Sequence, residues 1–405
     1  MSAAQSILRD YPFGRLSKLL DGHAPGRHGI DLPEVAGGKP ILLSVGEPQN
    51  APPAFIAEEI AKVAADFCRY PPPRGTPAYL EACAAWLTRR YGLPPGMIDP
   101  KTMLLAIPGS REGLFFAALA AMPEVAPGAP RPAILMPNPC YHVYPGAAIA
   151  IGAEPVFVPV NAAGGHLPDY GALPEAVLAN TALAFYCSPA NPQGAAADEA
   201  ELKRQLTLAR THGFTLAVDE CYAEIYTDTP PAGALQAAAA LGGSLDNLLA
   251  FHSLSKRSSA PGLRCGFAVG APDLIATLEV MLRTGGAGVA HHVLAAGNRL
   301  WREEAHVTEN RARYRTNFEI AERVLGNRFG FRKPDGGFFL WLDVGDGEKA
   351  ALALWREAGI RVLPGGYMAR PDANGVNPGD PYVRIALVYG PELTEAALNR
   401  LTEVL

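Results

Sequence analysis

The stretch LLAFHSLSKRSSAPGLRCGFAVG, residues 248–270, sets two short apolar runs on either side of a loop rich in Ser, Pro and Gly. LLAFHS and GFAVG are too short for helices, and their bulky apolar residues predict buried strands. Between them stand three cations, Lys256, Arg257 and Arg264. Loop cations are ordinarily solvated, and Arg257 is read that way. A lysine at a strand end in a partly desolvated cleft has another use, because it can lose its proton and act as a nucleophile. An arginine a few residues further on can clamp a phosphate through two parallel hydrogen bonds.

The same punctuation recurs outward from this loop. MLLAI (103–107), AILMP (133–137), EPVFVPV (154–160), ALAFYC (182–187) and FTLAVD (214–219) are further short apolar runs. Helical patterns lie between many of them, such as SREGLFFAALAAM (110–122) and DEAELKRQLTLARTHG (198–213). Ahead of them, TPAYLEACAAWLTRRYG (76–92) predicts an amphipathic helix closed by Gly92. Strand and helix in alternation predict an α/β fold with a mostly parallel sheet between helices. From about residue 290 the pattern changes to a long helical stretch, EEAHVTENRARYRTNFEIAERVLG (303–326), followed by GGFFLWLDV (336–344) and YVRIALV (382–388). The expected organisation is therefore an N-terminal segment (1–45) packing on a small domain and over a cleft, a large domain (46–289), and a small α+β domain (290–405).

The bulk composition narrows the function classes. With 405 residues, 49% hydrophobic and 19% charged, the chain is long enough for two cores. A net charge of −5 argues against a nucleic-acid partner. The absence of an apolar run of about 18 residues argues against a membrane span. No apolar leader opens the chain, and the six cysteines (Cys68, Cys83, Cys140, Cys187, Cys221, Cys265) form no C-x-x-C pair. Reduced thiols and a cytoplasmic protein are expected. His291 and His292 are adjacent but have no third ligand near them, so no metal site is expected. No G-x-G-x-x-G follows a strand, which removes a nicotinamide dehydrogenase.

In parallel sheets ligands bind where the strands end in loops. IPGSREG (107–113) sets Ser110 at a strand-to-helix turn, a place for an anion or simply an N-cap. NPCYHVY (138–144) offers Tyr141 and Tyr144 as ring platforms or as packing. SPANPQG (188–194) holds Asn191 among turn residues. LAVDECY (216–222) ends an apolar strand on Asp219, whose carboxylate needs a cation, either an arginine or a pyridinium nitrogen. A lysine for an aldehyde, a clamp for a phosphate and a carboxylate for a ring nitrogen together describe pyridoxal phosphate.

SLSKRSSAPGLRCG (253–266), with NPQG (191–194) and DECY (219–222), resembles the signature of class I aminotransferases, fold type I pyridoxal-phosphate enzymes. The resemblance runs from SVGEPQN (44–50) to YVRIALV (382–388) and implies a seven-stranded, mostly parallel sheet. It implies that Lys256 binds the cofactor covalently and shuttles a proton, and that Asp219 pairs with the pyridine nitrogen. Asn191 and Tyr222 would bond the ring hydroxyl, and Tyr141 would stack on the ring. Ser110, Arg111, Ser253 and Arg264 would surround the phosphate. Arg384 and Gly46 would receive the substrate α-carboxylate, Asn191 beside them. Tyr70 in RYPPPRGTPAY (69–79) would reach the phosphate of a neighbouring subunit, which implies a homodimer with shared sites. The substrates would be small amino and keto acids in a ping-pong cycle.

LRDYPFGRLSKLLDG (8–22) and VLPGGYMARPDANGVNPGDPYVRIALV (362–388) are similar to bacterial succinyldiaminopimelate aminotransferases of lysine biosynthesis. That resemblance implies glutamate as donor and N-succinyl-2-amino-6-oxopimelate as acceptor. Arg15, Arg74 and Arg370 then become candidates to border the cleft, or solvated surface arginines. The rival expectations are an aminotransferase for other dicarboxylic or aromatic amino acids, a β-lyase, or a non-catalytic sensor on the same scaffold. An intact Lys256 and the short stretch ahead of YPFGRL count against the sensor.

Overall fold

The computed structural model describes residue 9 and residues 11–405, so part of the expected 1–45 segment lies outside the described residues. Pro12 opens a helix (Pro12–Leu20) at a position where its missing N–H is no loss. A two-residue strand, β1 (Ile41–Leu42), follows. The large sheet is then built from β2 (Leu104–Ile107), β3 (Ala133–Asn138), β4 (Glu154–Pro159), β5 (Thr181–Cys187), β6 (Thr215–Asp219), β7 (Leu248–Ser253) and β8 (Gly266–Gly270). Their order is β2-β8-β7-β6-β5-β3-β4, and only β8 runs against the rest. The expected seven-stranded, mostly parallel sheet is observed.

Helices cover both faces, and this accounts for the near-continuous apolar strands. Leu216 and Val218 of β6 join Trp86 and Leu87 in the core on one face, while Ala217 between them joins Leu114 and Ile275 on the other. The expected helix closed by Gly92 spans Pro77–Tyr91, and Gly92 adopts the left-handed conformation (φ 60°) that ends it. Among the described residues no helix is long and apolar enough to cross a membrane. All six cysteines are free.

The C-terminal part contains β9 (Phe339–Asp343), β10 (Ile360–Arg361), β11 (Leu363–Pro364) and β12 (Tyr382–Ala386). β11, β12 and β9 form an antiparallel sheet beneath the helices Ala305–Leu325 and Pro391–Val404, around Phe318, Leu340, Ile385 and Leu401. β1 pairs in parallel with β10, Leu42 opposite Arg361, which ties the N-terminal segment to this part. The helix His291–Arg302, which the change of pattern near 290 assigns to the C-terminal unit, places Leu294, Leu300 and Trp301 in the core of the large sheet.

Candidate active site

Because β8 alone is reversed, the carboxyl ends of the other six strands and the start of β8 share one edge of the sheet. That edge carries Ser110 after β2, Tyr141 after β3, Asn191 after β5, Asp219 at the end of β6, Lys256 after β7 and Arg264 before β8. A cleft of about 590 Å³ opens over it, closed on the far side by the N-terminal helix and by β12. Ser110, Arg111, Tyr141, Asn191, Asp219, Tyr222, Lys256, Arg264, Gly46 and Arg384 all line this cleft, although they span most of the chain.

Asp219 is buried. Its Oδ2 accepts a hydrogen bond from the Tyr144 hydroxyl (3.0 Å) and its Oδ1 one from the Cys221 backbone N–H (3.2 Å). Burial raises the carboxyl pKa, and these two hydrogen bonds partly oppose the rise. Tyr144, open in the sequence to packing or a ring role, stacks on Phe185 (4.5 Å, 11°) and orients this carboxylate. Lys256 is half-buried on a one-turn helix (Leu254–Arg257), and its Nζ donates to the Gly46 carbonyl. Burial pushes its pKa down to about 8, with Cys221 opposing the fall and Arg384 adding to it. A side chain poised there exchanges a proton readily near neutral pH.

Arg384 in β12 is buried, and burial pushes its pKa down to about 10. It donates to Asn191 Oδ1 (2.9 Å) and to the Ser44 carbonyl (2.8 Å), and it lies over the Phe339 ring at 4.2 Å. Its Nε has no hydrogen-bond partner among the described residues. Tyr222 packs edge-on against Phe338 (5.3 Å) and Phe339 (5.8 Å) and is buried at the cleft wall. Arg111 Nε donates to the Tyr141 hydroxyl (2.8 Å).

Gly109 caps the helix Ser110–Ala120 with φ 93°, and a Cβ there would lie 2.4 Å from the Arg264 guanidinium. The positive φ favours glycine, and a side chain there would displace the Arg264 guanidinium. Arg264 itself bonds Glu112 (2.7 Å) and the Pro108 carbonyl (2.8 Å). Ser253 lies just below the cleft. Its hydroxyl caps the Lys256 turn by accepting from the Ser255 N–H (3.2 Å), whereas Ser255 lines the cleft.

Other candidates fall elsewhere. Tyr70 is 91% exposed and lies outside this chain's own cleft wall. His291 contacts the Tyr70 carbonyl (3.2 Å) and His292 packs edge-on against Phe67, so the histidine pair supports the Tyr70 segment. Among the described residues no cluster could hold a metal ion. Arg74 pairs with Glu279 (2.5 Å), and Arg15 lies over the Tyr367 ring and within 4.0 Å of Glu348. The Arg370 backbone N–H bonds Asn138. None of these three arginines lines the cleft.

Arg257 requires a correction. It is 2% exposed, pairs with Glu304 (2.8 Å), donates to the Leu300 carbonyl (2.7 Å) and lies near the Trp86 and Trp301 rings. One residue past Lys256 on a single helical turn, it points away from the cleft into the core, where a cation is tolerated only with such partners.

Sequence reasoning missed Ser255, Tyr11, Phe13, His142 and Arg361, all in the cleft wall. Burial pushes the His142 pKa down to about 4, so the ring is neutral where it meets the Tyr11 and Phe13 rings. Arg361 carried a usable signal: it breaks the apolar run of residues 360–363, as Asp219 breaks its own strand.

Comparison with known proteins is consistent with this geometry. Residues 38–404 match the family model for aminotransferase class I and II. Over 89% of the chain, the sequence is 35% identical to the 4-dedimethylamino-4-oxo-anhydrotetracycline transaminase OxyQ of Streptomyces rimosus, covering 93% of that protein. Over 98% of the chain it is 30% identical to an LL-diaminopimelate aminotransferase of Moorella thermoacetica, covering 96% of that protein. The fold superposes on an aminotransferase from Neisseria meningitidis with a TM-score of 0.89 and 37% identity, covering 98% of this chain and 99% of that one. It superposes on a probable N-succinyldiaminopimelate aminotransferase from Thermus thermophilus with a TM-score of 0.79 and 26% identity, each chain covered completely (100%).

Proposed function

The chain belongs to the class I and II aminotransferases, and on that premise we propose that it moves an amino group from glutamate to N-succinyl-2-amino-6-oxopimelate. Pyridoxal phosphate, the cofactor of this family, supplies an electron-withdrawing ring that acidifies the substrate α-carbon.

The residues present fit that cofactor. Asp219, buried and without a neutralising arginine in its hydrogen bonds, is suited to a pyridinium N–H. The bare Gly109 turn, Ser110, Ser255 and Arg264 form a cradle for a dianion at a helix N-terminus, with Arg111 beside it and Ser253 fixing the turn below. Tyr141 offers a ring face held in place by Arg111, and Tyr222 and Asn191 line the same cleft.

In this reading Lys256 would hold the cofactor covalently through its aldehyde, with loss of one water. Once the incoming substrate amine had displaced it from the cofactor, the Lys256 Nζ would be placed to take the proton from the substrate α-carbon and return it on the cofactor side. Arg384 grips the α-carboxylate, steered by Asn191 and Ser44, with Gly46 lining the same wall. Arg384→Leu is expected to raise KM for glutamate about 100-fold while lowering kcat far less, as loss of a charged hydrogen bond made throughout the cycle would. Steady-state kinetics check the split.

The depressed Lys256 pKa sets a pH dependence. Only the neutral amine attacks an aldehyde, so below about 8 the nucleophilic fraction falls tenfold per pH unit. The cofactor-free protein is expected to capture added pyridoxal phosphate at a rate that climbs with pH and levels off above about 8. Stopped-flow absorbance measures this rate. A plateau reached only near the pKa of free lysine would contradict the role of burial.

One observation carries the substrate class. The cleft wall presents five cations (Arg111, Lys256, Arg264, Arg361, Arg384) against two carboxylates (Glu47, Asp219), in a chain whose net charge is −5. A phosphate and one α-carboxylate leave positive charge for a further carboxylate. The resemblance of both chain ends to succinyldiaminopimelate aminotransferases, and the diaminopimelate names among the relatives, support the succinylated oxopimelate as acceptor. A second reading, diaminopimelate itself, is favoured by the Moorella relative.

Half-reactions with glutamate, LL-diaminopimelate, the succinylated oxopimelate and monocarboxylic keto acids test both. The succinylated compound is expected to exceed the monocarboxylates in kcat/KM by at least about tenfold. Parity would remove the assignment, and a clear preference for LL-diaminopimelate would select the second reading.

We also propose a homodimer in which the exposed Tyr70 reaches the partner's phosphate cradle, with the division into domains falling near residue 303, after the helix His291–Arg302. Sedimentation and the cofactor affinity of Tyr70→Phe check the dimer.

A further inference from the structure

We propose that Arg361 is the residue that binds the substrate's distal carboxylate, and that the wall around it accepts the methylene stem leading to that carboxylate. The proposal rests on the reading of the chain as an aminotransferase for a dicarboxylic substrate. Arg361 ends β10, opposite Leu42 of β1, and lines the same cleft as Lys256 and Arg384. Among the described residues its one side-chain hydrogen bond is to the Ser17 hydroxyl, which accepts from it at 3.1 Å. Its Nε is buried and has no hydrogen-bond partner among the described residues. Among the described residues no carboxylate forms an ion pair with it.

The other arginines of the cleft already have roles in the proposed function, at the phosphate or the α-carboxylate. Arg264 bonds Glu112, Arg111 bonds Tyr141, and Arg384 bonds Asn191 and Ser44. A guanidinium does not lose its proton in a protein, so half-buried Arg361 stands as a charge with no carboxylate partner among the described residues. Burial also depresses the Arg361 pKa, with no opposing partner. Such a cation in a ligand cleft is suited to an incoming anion, and its planar fork to a carboxylate in particular.

The surroundings set the shape of that ligand. The contact with Ser17 places the helix Pro12–Leu20 against Arg361, and Phe13 of that helix packs with Leu363 and Met368 in one apolar cluster. These three residues also line the cleft. A ligand meeting apolar walls and then a single cation is a carboxylate on an aliphatic stem. Arg384 and Arg361 belong to different strands and face the same cleft, so one substrate with a carboxylate at each end can engage both.

The test uses the cofactor-loaded enzyme as wild type, Arg361→Gln and Arg361→Lys. Binding of glutarate and pimelate is compared with that of hexanoate by calorimetry, beside thermal melting and the glutamate half-reaction. Arg361→Gln is expected to weaken both dicarboxylates about 10- to 100-fold and hexanoate less than about threefold. Arg361→Lys, which keeps the charge and loses the fork, is expected to fall between, and it carries the test alone if the glutamine variant does not fold.

Equal losses for dicarboxylates and hexanoate would assign Arg361 to the structure of the wall and overturn the proposal. Unchanged dicarboxylate affinity would do the same. If the wild type fails to accept the amino group of glutamate, the functional reading fails. If it does accept it and the variants still discriminate as wild type does, only the role of Arg361 fails.

Discussion

Lys256→Ala is expected to lower transamination by about 10⁴-fold or more, because it removes a nucleophile and a proton carrier in one step. Its other contacts are few: Nζ bonds the Gly46 carbonyl and lies over the Phe338 ring at 5.2 Å. The turn that holds it is fixed independently. The Ser253 cap and the Asn310 side chain, whose amide donates to the Lys256 and Arg257 carbonyls (3.0 and 3.2 Å), remain in place in the variant. The melting temperature should therefore change little while turnover collapses. A small primary amine added to the variant should restore part of the proton transfer. Borohydride reduction of the wild type followed by peptide mapping should place the reduced cofactor on Lys256. A variant that turns over at the wild-type rate would refute the mechanism.

Asp219→Asn is the second large effect, expected to cost roughly 10²- to 10⁴-fold in kcat. Removing one member of a buried ionic pair typically costs about 3–5 kcal/mol, and each 1.36 kcal/mol is tenfold in rate. The physical reason lies in the position of this carboxylate. It ends a strand buried on both faces, and its two oxygens are fixed by Tyr144 and by the Cys221 N–H. An amide keeps that shape but supplies no charge for a ring N–H. Asp219→Glu keeps the charge and displaces it, and is expected to retain more activity than the asparagine variant. Equal losses in the two variants would assign the effect to packing. Tyr144→Phe should give a smaller loss, since it removes only one hydrogen bond to the carboxylate.

Much of this site is legible in the sequence because of where strands end. Lys256, Asp219, Asn191 and Ser110 each close an apolar run, and a parallel sheet brings all such closures to one edge. A polar residue in that position signals function with no knowledge of tertiary contacts. Arg384 needed the resemblance, since from its strand alone it reads as an exposed cation; in the structure it is buried under Asn191 and Ser44.

The remainder depended on long-range pairing. Tyr144 reaches Asp219 across 75 residues of sequence, and Arg361 enters the cleft only because β1 and β10 pair and the N-terminal helix packs beside them. Arg257 is the reverse case. Its neighbours in sequence imply a solvated loop, and its burial follows from the direction of one helical turn toward Trp86 and Trp301, which local pattern does not encode. The helix His291–Arg302 likewise follows a change of pattern yet packs on the large sheet, because packing depends on its apolar face and not on its place in the chain.

The most direct measurement is the absorption spectrum of the cofactor-loaded protein during a single half-reaction with glutamate. Glutamate is expected to abolish the visible band of the lysine-bound cofactor, release one 2-oxoglutarate per site, and leave a form that recovers the band when N-succinyl-2-amino-6-oxopimelate is added. A band that glutamate leaves unchanged, with no 2-oxoglutarate released, would contradict the proposed reaction.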